Sequence, residues 1–232
     1  MRHPARTILA IALSLLVCGI VVFDLTIPDH PVRPDDASLL TTTTGASNLV
    51  SAVYLGARLY DTLFEVLVFT VAVIGVCFYL SERPSTARAT SIPESHVLQA
   101  SAQILFPLIL LLGLYLTLFG HISPGGGFSG GVVAASGLLL CVMSIGLDTV
   151  YRRLTGAGIE RLEWALPMMI VAVCVLPMIF GRPLLSNFLP VGRAGHVFGS
   201  PSILLLNILI GLKVLIGSWM VLHAFIRHRG EI

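Results

Sequence analysis

The chain has 232 residues, of which 56% are hydrophobic and 11% charged, with a formal net charge of +2. A soluble domain carries roughly twice that charged fraction, so the composition excludes an ordinary soluble globular protein. The small net charge gives no ground for nucleic-acid binding.

Crossing a bilayer takes about 20 apolar residues. Six stretches reach or approach that length: Thr7–Phe23, Thr62–Leu80, Leu98–Phe119, Gly130–Leu147, Leu162–Phe180 and Ile203–Phe225. The expected fold is therefore all-α, a polytopic membrane protein with about six transmembrane helices. Arg2 and Arg6 precede the first stretch as in a signal peptide, but its exit, Asp24-Leu-Thr-Ile-Pro28, lacks a small-x-small cleavage site. Leu15-Leu16-Val17-Cys18 hints at a lipoprotein box, and Val17 fits poorly there. An uncleaved helix is expected.

Composition divides the chain. Residues 1–80 hold two helices around a polar loop, and residues 81–93, rich in Ser, Thr, Arg and Pro, read as a linker. Residues 94–232 hold four helices, with Gly181–Pro201 their longest connection. Arg2, Arg6, Arg83, Arg88, Arg152, Arg153, Arg161, Arg227 and Arg229 fall on one side of the predicted spans. Arg33, Arg182 and Arg193 fall on the other, and Arg58 lies near a helix start. Positive residues favour the cytoplasm, which puts both termini there and the loop Asp24–Asp36, with its four aspartates, outside. The four cysteines lie inside apolar runs without metal-ligand spacing, so small buried hydrophobes are expected rather than a metal site or disulfides.

Between the third and fourth spans stands Gly120-His121-Ile-Ser-Pro124-Gly125-Gly126-Gly127-Phe-Ser-Gly130-Gly131. Gly125-x-Gly127-x-x-Gly130 matches a dinucleotide fingerprint in letters only, because it follows an apolar span and no βαβ unit surrounds it. Gly126-x-x-x-Gly130 and Gly127-x-x-x-Gly131 read instead as small-residue surfaces for close helix packing. His121 ends the third span; its type suits titration near neutral pH, but a hydrogen-bonding group at a helix end is the commoner role.

Two groups of ionisable residues fall within or beside the spans. Thirteen of the fourteen basic residues are arginine, and the one lysine, Lys213, lies near the middle of the sixth span. A lysine there costs roughly 2.5–3.5 kcal/mol on insertion scales, so it either serves an ion or proton path or is neutralised by carbonyls or a structural carboxylate. Gly217, four residues on, lies on the same face and lets a partner helix approach. Arg58, Asp61 and Glu65 are spaced i, i+3, i+7 and share one helix face. They suit a proton relay or a cation site. The competing reading is a capping box, Thr62-x-x-Glu65, with acids in a first helical turn.

The glycine-rich segment resembles the signature of the MnhB domain, found in Mrp/Mnh-type multisubunit Na⁺/H⁺ antiporters. The last helix, Pro201-Ser-Ile-Leu-Leu-Leu-Asn207-Ile-Leu-Ile-Gly211-Leu-Lys213, is similar to that family's last helix. This likeness covers roughly Glu94 onward. Arg58-Leu-Tyr-Asp61-Thr62-Leu63-Phe-Glu65 resembles the Arg-Gly-x-Asp-Thr-Leu-Gly-Glu motif at the C-terminal end of the large MnhA-type protein of the same antiporters, a piece that is a separate small subunit in related membrane-bound hydrogenases. Leu59 and Phe64 stand where that motif has glycine. The resemblance implies a fusion of two neighbouring modules, without independent catalysis, metal or cofactor. It implies a hetero-oligomeric complex of the prokaryotic cell membrane that exchanges Na⁺ or another cation for H⁺. Asp61 and Glu65 would offer carboxylates to an ion route, Arg58 would orient them, and Lys213 would bias their protonation or relay protons, with His121 a further candidate. Pro124, Gly125, Gly126, Gly127, Gly130 and Gly131 would be the structural motif. The alternatives are the membrane arm of a respiratory or hydrogenase-type complex, in which this chain would carry no redox centre for lack of a cysteine cluster, and a structural scaffold.

Overall fold

The computed structural model describes residues 36–81, 95–154, 158–182 and 186–227, with scattered helical positions between 11 and 22. Most of the first predicted span and nearly all of the predicted linker lie outside the described residues. The positions before Asp36 belong to a unit of their own. The rest is built from α1 (Asp36–Thr44), α2 (Leu49–Ala52), α3 (Leu59–Ser81), α4 (His96–Phe119), α5 (Gly127–Ile145), α6 (Leu147–Leu154), α7 (Gly158–Ile179) and α8 (Pro201–Arg227). A single π turn, Val53–Ala57, joins α2 to α3. No strand occurs among the described residues, and five helices, α3, α4, α5, α7 and α8, are long and apolar enough to cross a bilayer.

Local chemistry sets the helix ends. Ser95 caps α4 by accepting a hydrogen bond from the Leu98 N–H, and Asn48 caps α2 through Val50 N–H. Gly146, at φ +85°, ends α5 in a conformation that a side chain disfavours, so the predicted span Gly130–Leu147 stops two residues earlier. Beyond it, α6 is amphipathic: Leu147, Val150 and Leu154 share one face and pack towards Val142 and Trp219. The polar connection before α3 is more ordered than its composition suggests, because α1, α2 and the π turn occupy it.

Helix α8 is central and touches α3, α4, α5 and α7. Its approach to α5 depends on missing side chains. A Cβ on Gly127 would stand 2.5 Å from the Asn207 carbonyl oxygen, and one on Gly131 would stand 2.7 Å from that of Gly211. Gly130, a different face of the same helix, meets α4, where a Cβ would stand 2.6 Å from the Gly113 carbonyl oxygen. The predicted small-residue surfaces are thus two, one for each neighbour. The outer face of α4 leaves Ile104, Leu108, Leu111 and Leu112 exposed, an apolar surface that lipid or another membrane protein must cover. Of the described cysteines Cys174 is buried, Cys77 and Cys141 are half-buried, and Cys18 is exposed, which corrects the expectation of four buried thiols.

Gly127→Ala is expected to lower stability by about 1–3 kcal/mol through overpacking against backbone. Gly75→Ala, with nothing within 4 Å of its would-be Cβ, changes it by less than about 1 kcal/mol. Thermal unfolding in detergent distinguishes them, and equal midpoints would contradict this packing.

Candidate functional site

Lys213 lies about midway along α8 and is fully buried. Its ammonium forms an ion pair with Oε1 of Glu163, on α7, which is 3% exposed. The third wall is α3: the Phe69 ring centroid lies 5.5 Å from Lys213 Nζ, within cation–π range. Phe69 gets that close because Gly217 has no side chain, since a Cβ there would stand 2.6 Å from Phe69 Cε1. The sequence expectation that Gly217 admits a partner beside Lys213 is met by this ring.

The pair leaves one oxygen unused. Glu163 Oε2 is buried and has no hydrogen-bond partner in the structure. Pro167, inside α7, also lacks the N–H that an α-helix would send back to the Glu163 main-chain carbonyl. Cys77 of α3 lies within electrostatic reach of Glu163, Glu160 and Lys213. An ammonium and a carboxylate with a free oxygen form a site able to take up a proton, a water or a small cation.

The other predicted groups are arranged differently. Arg58 and Asp61 form an ion pair, with side chains 63% and 33% exposed, as their i, i+3 spacing allows, and Glu65 is exposed. The structure does not bring Lys213 to them; its carboxylate is Glu163. The capping box fails because α3 already starts at Leu59. The π turn directs the Arg58 N–H to Val53, which leaves the Tyr54 carbonyl to accept the buried Thr62 hydroxyl at 2.7 Å.

The turn at Gly120–Gly126, which includes Pro124 and Gly125, is held from two sides. From the first part, the Asn48 amide donates to the carbonyls of Gly120 (2.8 Å) and Ser123 (2.9 Å), and Ser51 Oγ donates to Gly120. From α8, Asn207 Oδ1 accepts the Gly127 N–H (2.9 Å) and the Tyr54 hydroxyl (3.0 Å). Gly126 has no room for a side chain, because a Cβ would stand 2.3 Å from that hydroxyl. Burial pushes the Tyr54 phenol above its usual range, so it stays a neutral donor. His121 is fully buried; Nε2 lies 3.4 Å from the His196 carbonyl, and Nδ1 has no partner.

Sequence reasoning missed Glu163, Asn48 and Tyr54. For Glu163 a signal existed: it is the one acid inside Leu162–Phe180, and an intramembrane lysine requires a partner.

An all-α, multi-pass membrane protein with an ammonium–carboxylate pair sealed between its helices is the class this architecture defines. The family model described as a domain related to the MnhB subunit of Na⁺/H⁺ antiporter matches residues 97–220, and the chain belongs to that family. It is 34% identical over 91 residues to the B-type subunit of the Na⁺/H⁺ antiporter of Bacillus subtilis, a match that covers 39% of this chain and 63% of that one. The chain thus spans just under two thirds of that relative. Among solved structures it is similar to a chain of the membrane-bound sulfane sulfur reductase, an archaeal respiratory membrane complex. There the TM-score is 0.67 and the identity 28%, with 95% of this chain and 98% of that chain covered. It is also similar in fold to a chain of the Mrp complex from Dietzia sp. DQ12-45-1b, with TM-score 0.65, 23% identity, and 97% of this chain but 26% of that chain covered.

Removing one member of the buried pair, by Lys213→Met or Glu163→Gln, is expected to cost about 3–5 kcal/mol, and the double variant Lys213→Met/Glu163→Leu to recover most of it. Asp61→Asn, in an exposed pair, changes stability by no more than about 1 kcal/mol. A thermal-shift double-mutant cycle reads all of these. Additive losses at positions 163 and 213 would contradict a coupled pair.

Proposed function

We propose that this chain is a non-catalytic membrane subunit of an Mrp-type multisubunit complex that exchanges Na⁺ for H⁺, and that the Lys213–Glu163 pair is part of its ion path. The observation that carries this is the free Glu163 Oε2 beside a fully buried ammonium. A proton or cation arriving at Oε2 weakens the claim of the carboxylate on Lys213. The ammonium is then uncompensated in a low-dielectric setting, where a lone charge is strongly disfavoured. It must pass a proton on or turn to an anion supplied by a neighbouring protein of the complex. Binding on one side of the pair thereby moves charge on the other, which is what exchange requires. Glu65, exposed on α3, and Asp61, half-buried on it, supply carboxylates to the adjoining protein, with Arg58 orienting Asp61. The arginine placement supports an orientation with both termini on the cytoplasmic side.

The two-module reading rests on the likeness of Arg58–Glu65 to the MnhA-type motif; the Dietzia Mrp structure shares the fold, with nearly all of this chain corresponding to about a quarter of one longer chain. A second reading has its own support: the near full-length similarity to a chain of a respiratory complex favours a role in the membrane arm of such a complex. The pair would then serve the same charge movement, driven by redox chemistry elsewhere.

Mild-detergent purification of the tagged chain should recover antiporter-like membrane subunits. Co-purification of iron–sulfur or other redox subunits would favour the second reading, and a stable lone chain would contradict both. In vesicles containing the purified complex, Lys213→Met is expected to lower cation-dependent proton movement by about tenfold or more per assembled complex recovered. Undiminished exchange would remove the pair from the path.

A further inference from the structure

A cavity of about 230 Å³ opens at the end of the bundle that carries the glycine turn, between α1, the π turn, α7 and the start of α8. Its mouth includes exposed Thr43 and Ala57, and its floor is buried Leu59, Cys174 and Leu206. The size is ample for several waters.

Most of the lining is apolar, and its few polar groups are what argue for water. Ser186 Oγ is buried without a partner, and Ser202 spends its proton on Asn187 Oδ1. Val173 lines the wall, and Pro177 lacks the N–H that would bond the Val173 carbonyl. A lipid chain offers nothing to an unpartnered hydroxyl or to a carbonyl without its helical donor, whereas water satisfies both.

The floor also points at the ion pair. Lys213 follows Leu206 by two turns of α8, roughly 10 Å further along the same face. Glu163 lies three turns from Cys174 on one face of α7, again nearly in register. Between floor and pair stand Leu63, Val66, Leu166, Ile170 and Leu209, all buried in one core cluster, one turn of side chains on α8 and two on α7.

We propose that this cavity is a water-filled vestibule that admits water and small monovalent cations from the glycine-turn end towards Lys213 and Glu163, from which only buried apolar side chains separate it. Its purpose rests on the ion-path reading of the pair; its hydration does not.

The test uses the wild-type chain in its purified complex, reconstituted in vesicles, because peptide mass spectrometry separates the four cysteines. A charged, membrane-impermeant methanethiosulfonate should modify Cys174 when added at the glycine-turn face, and Ala57→Trp, which fills the mouth, should slow this about tenfold. Modification by a lipid-soluble maleimide alone would show a lipid-filled cavity and overturn the proposal. Failure of both reagents, or access from the opposite face, would overturn it as well. Undiminished exchange by Lys213→Met with Cys174 still modified would defeat the ion-path reading and leave the vestibule standing.

Discussion

A single ammonium in the middle of a spanning helix constrains everything around it. Lys213 cannot reach either membrane surface from a fully buried position near the centre of α8, so a counter-charge must come to it. Glu163 supplies that charge from α7, and Phe69 on α3 closes the third side with an aromatic face. Three helices from distant parts of the chain are thereby fixed in rotation about their axes. Gly217 contributes by what it lacks, leaving the space that the ring occupies.

The pair is neutral as a whole but not saturated. One carboxylate oxygen has no partner, and the proline four residues on withholds the usual donor from the same residue's carbonyl. Buried ion pairs are weak devices for stability, since apolar residues of similar volume often serve as well. A buried carboxylate oxygen without a partner carries a desolvation cost that the ion pair does not remove. The exposed Arg58–Asp61 pair is the opposite case: solvent or a neighbouring protein competes for it, and its energetic weight in the isolated chain is small.

The five described spans, the small-residue packing of α5 and the isolation of Lys213 were all readable from periodicity and residue type, because each follows from local rules. What the chain pairs across long separations was not. Lys213 and Glu163 are 50 residues apart, and no pattern within either helix identifies the other. Asp61 and Glu65 were attractive partners because they cluster in sequence, yet α3 presents Phe69, not its acids, to the lysine. The Thr62 capping box failed because Leu59 starts the helix early and the π turn redirects the Thr62 hydroxyl to Tyr54. The glycine motif was legible as unusual, but its partners, Asn48, Ser51 and Tyr54, belong to a stretch that reads as a polar loop.

Asn207 accepts two hydrogen bonds at once, from the first N–H of α5 and from Tyr54. During synthesis Tyr54 is made first, the glycine turn next and Asn207 last. Until α8 is inserted, the start of α5 has no amide acceptor, and the Tyr54 hydroxyl lacks this partner. The α4–α5 hairpin therefore enters the membrane with its turn incomplete, and the final helix locks it. The order of synthesis thus makes the last helix the one that completes the turn, which until then is held from the earlier part of the chain by Asn48 and Ser51.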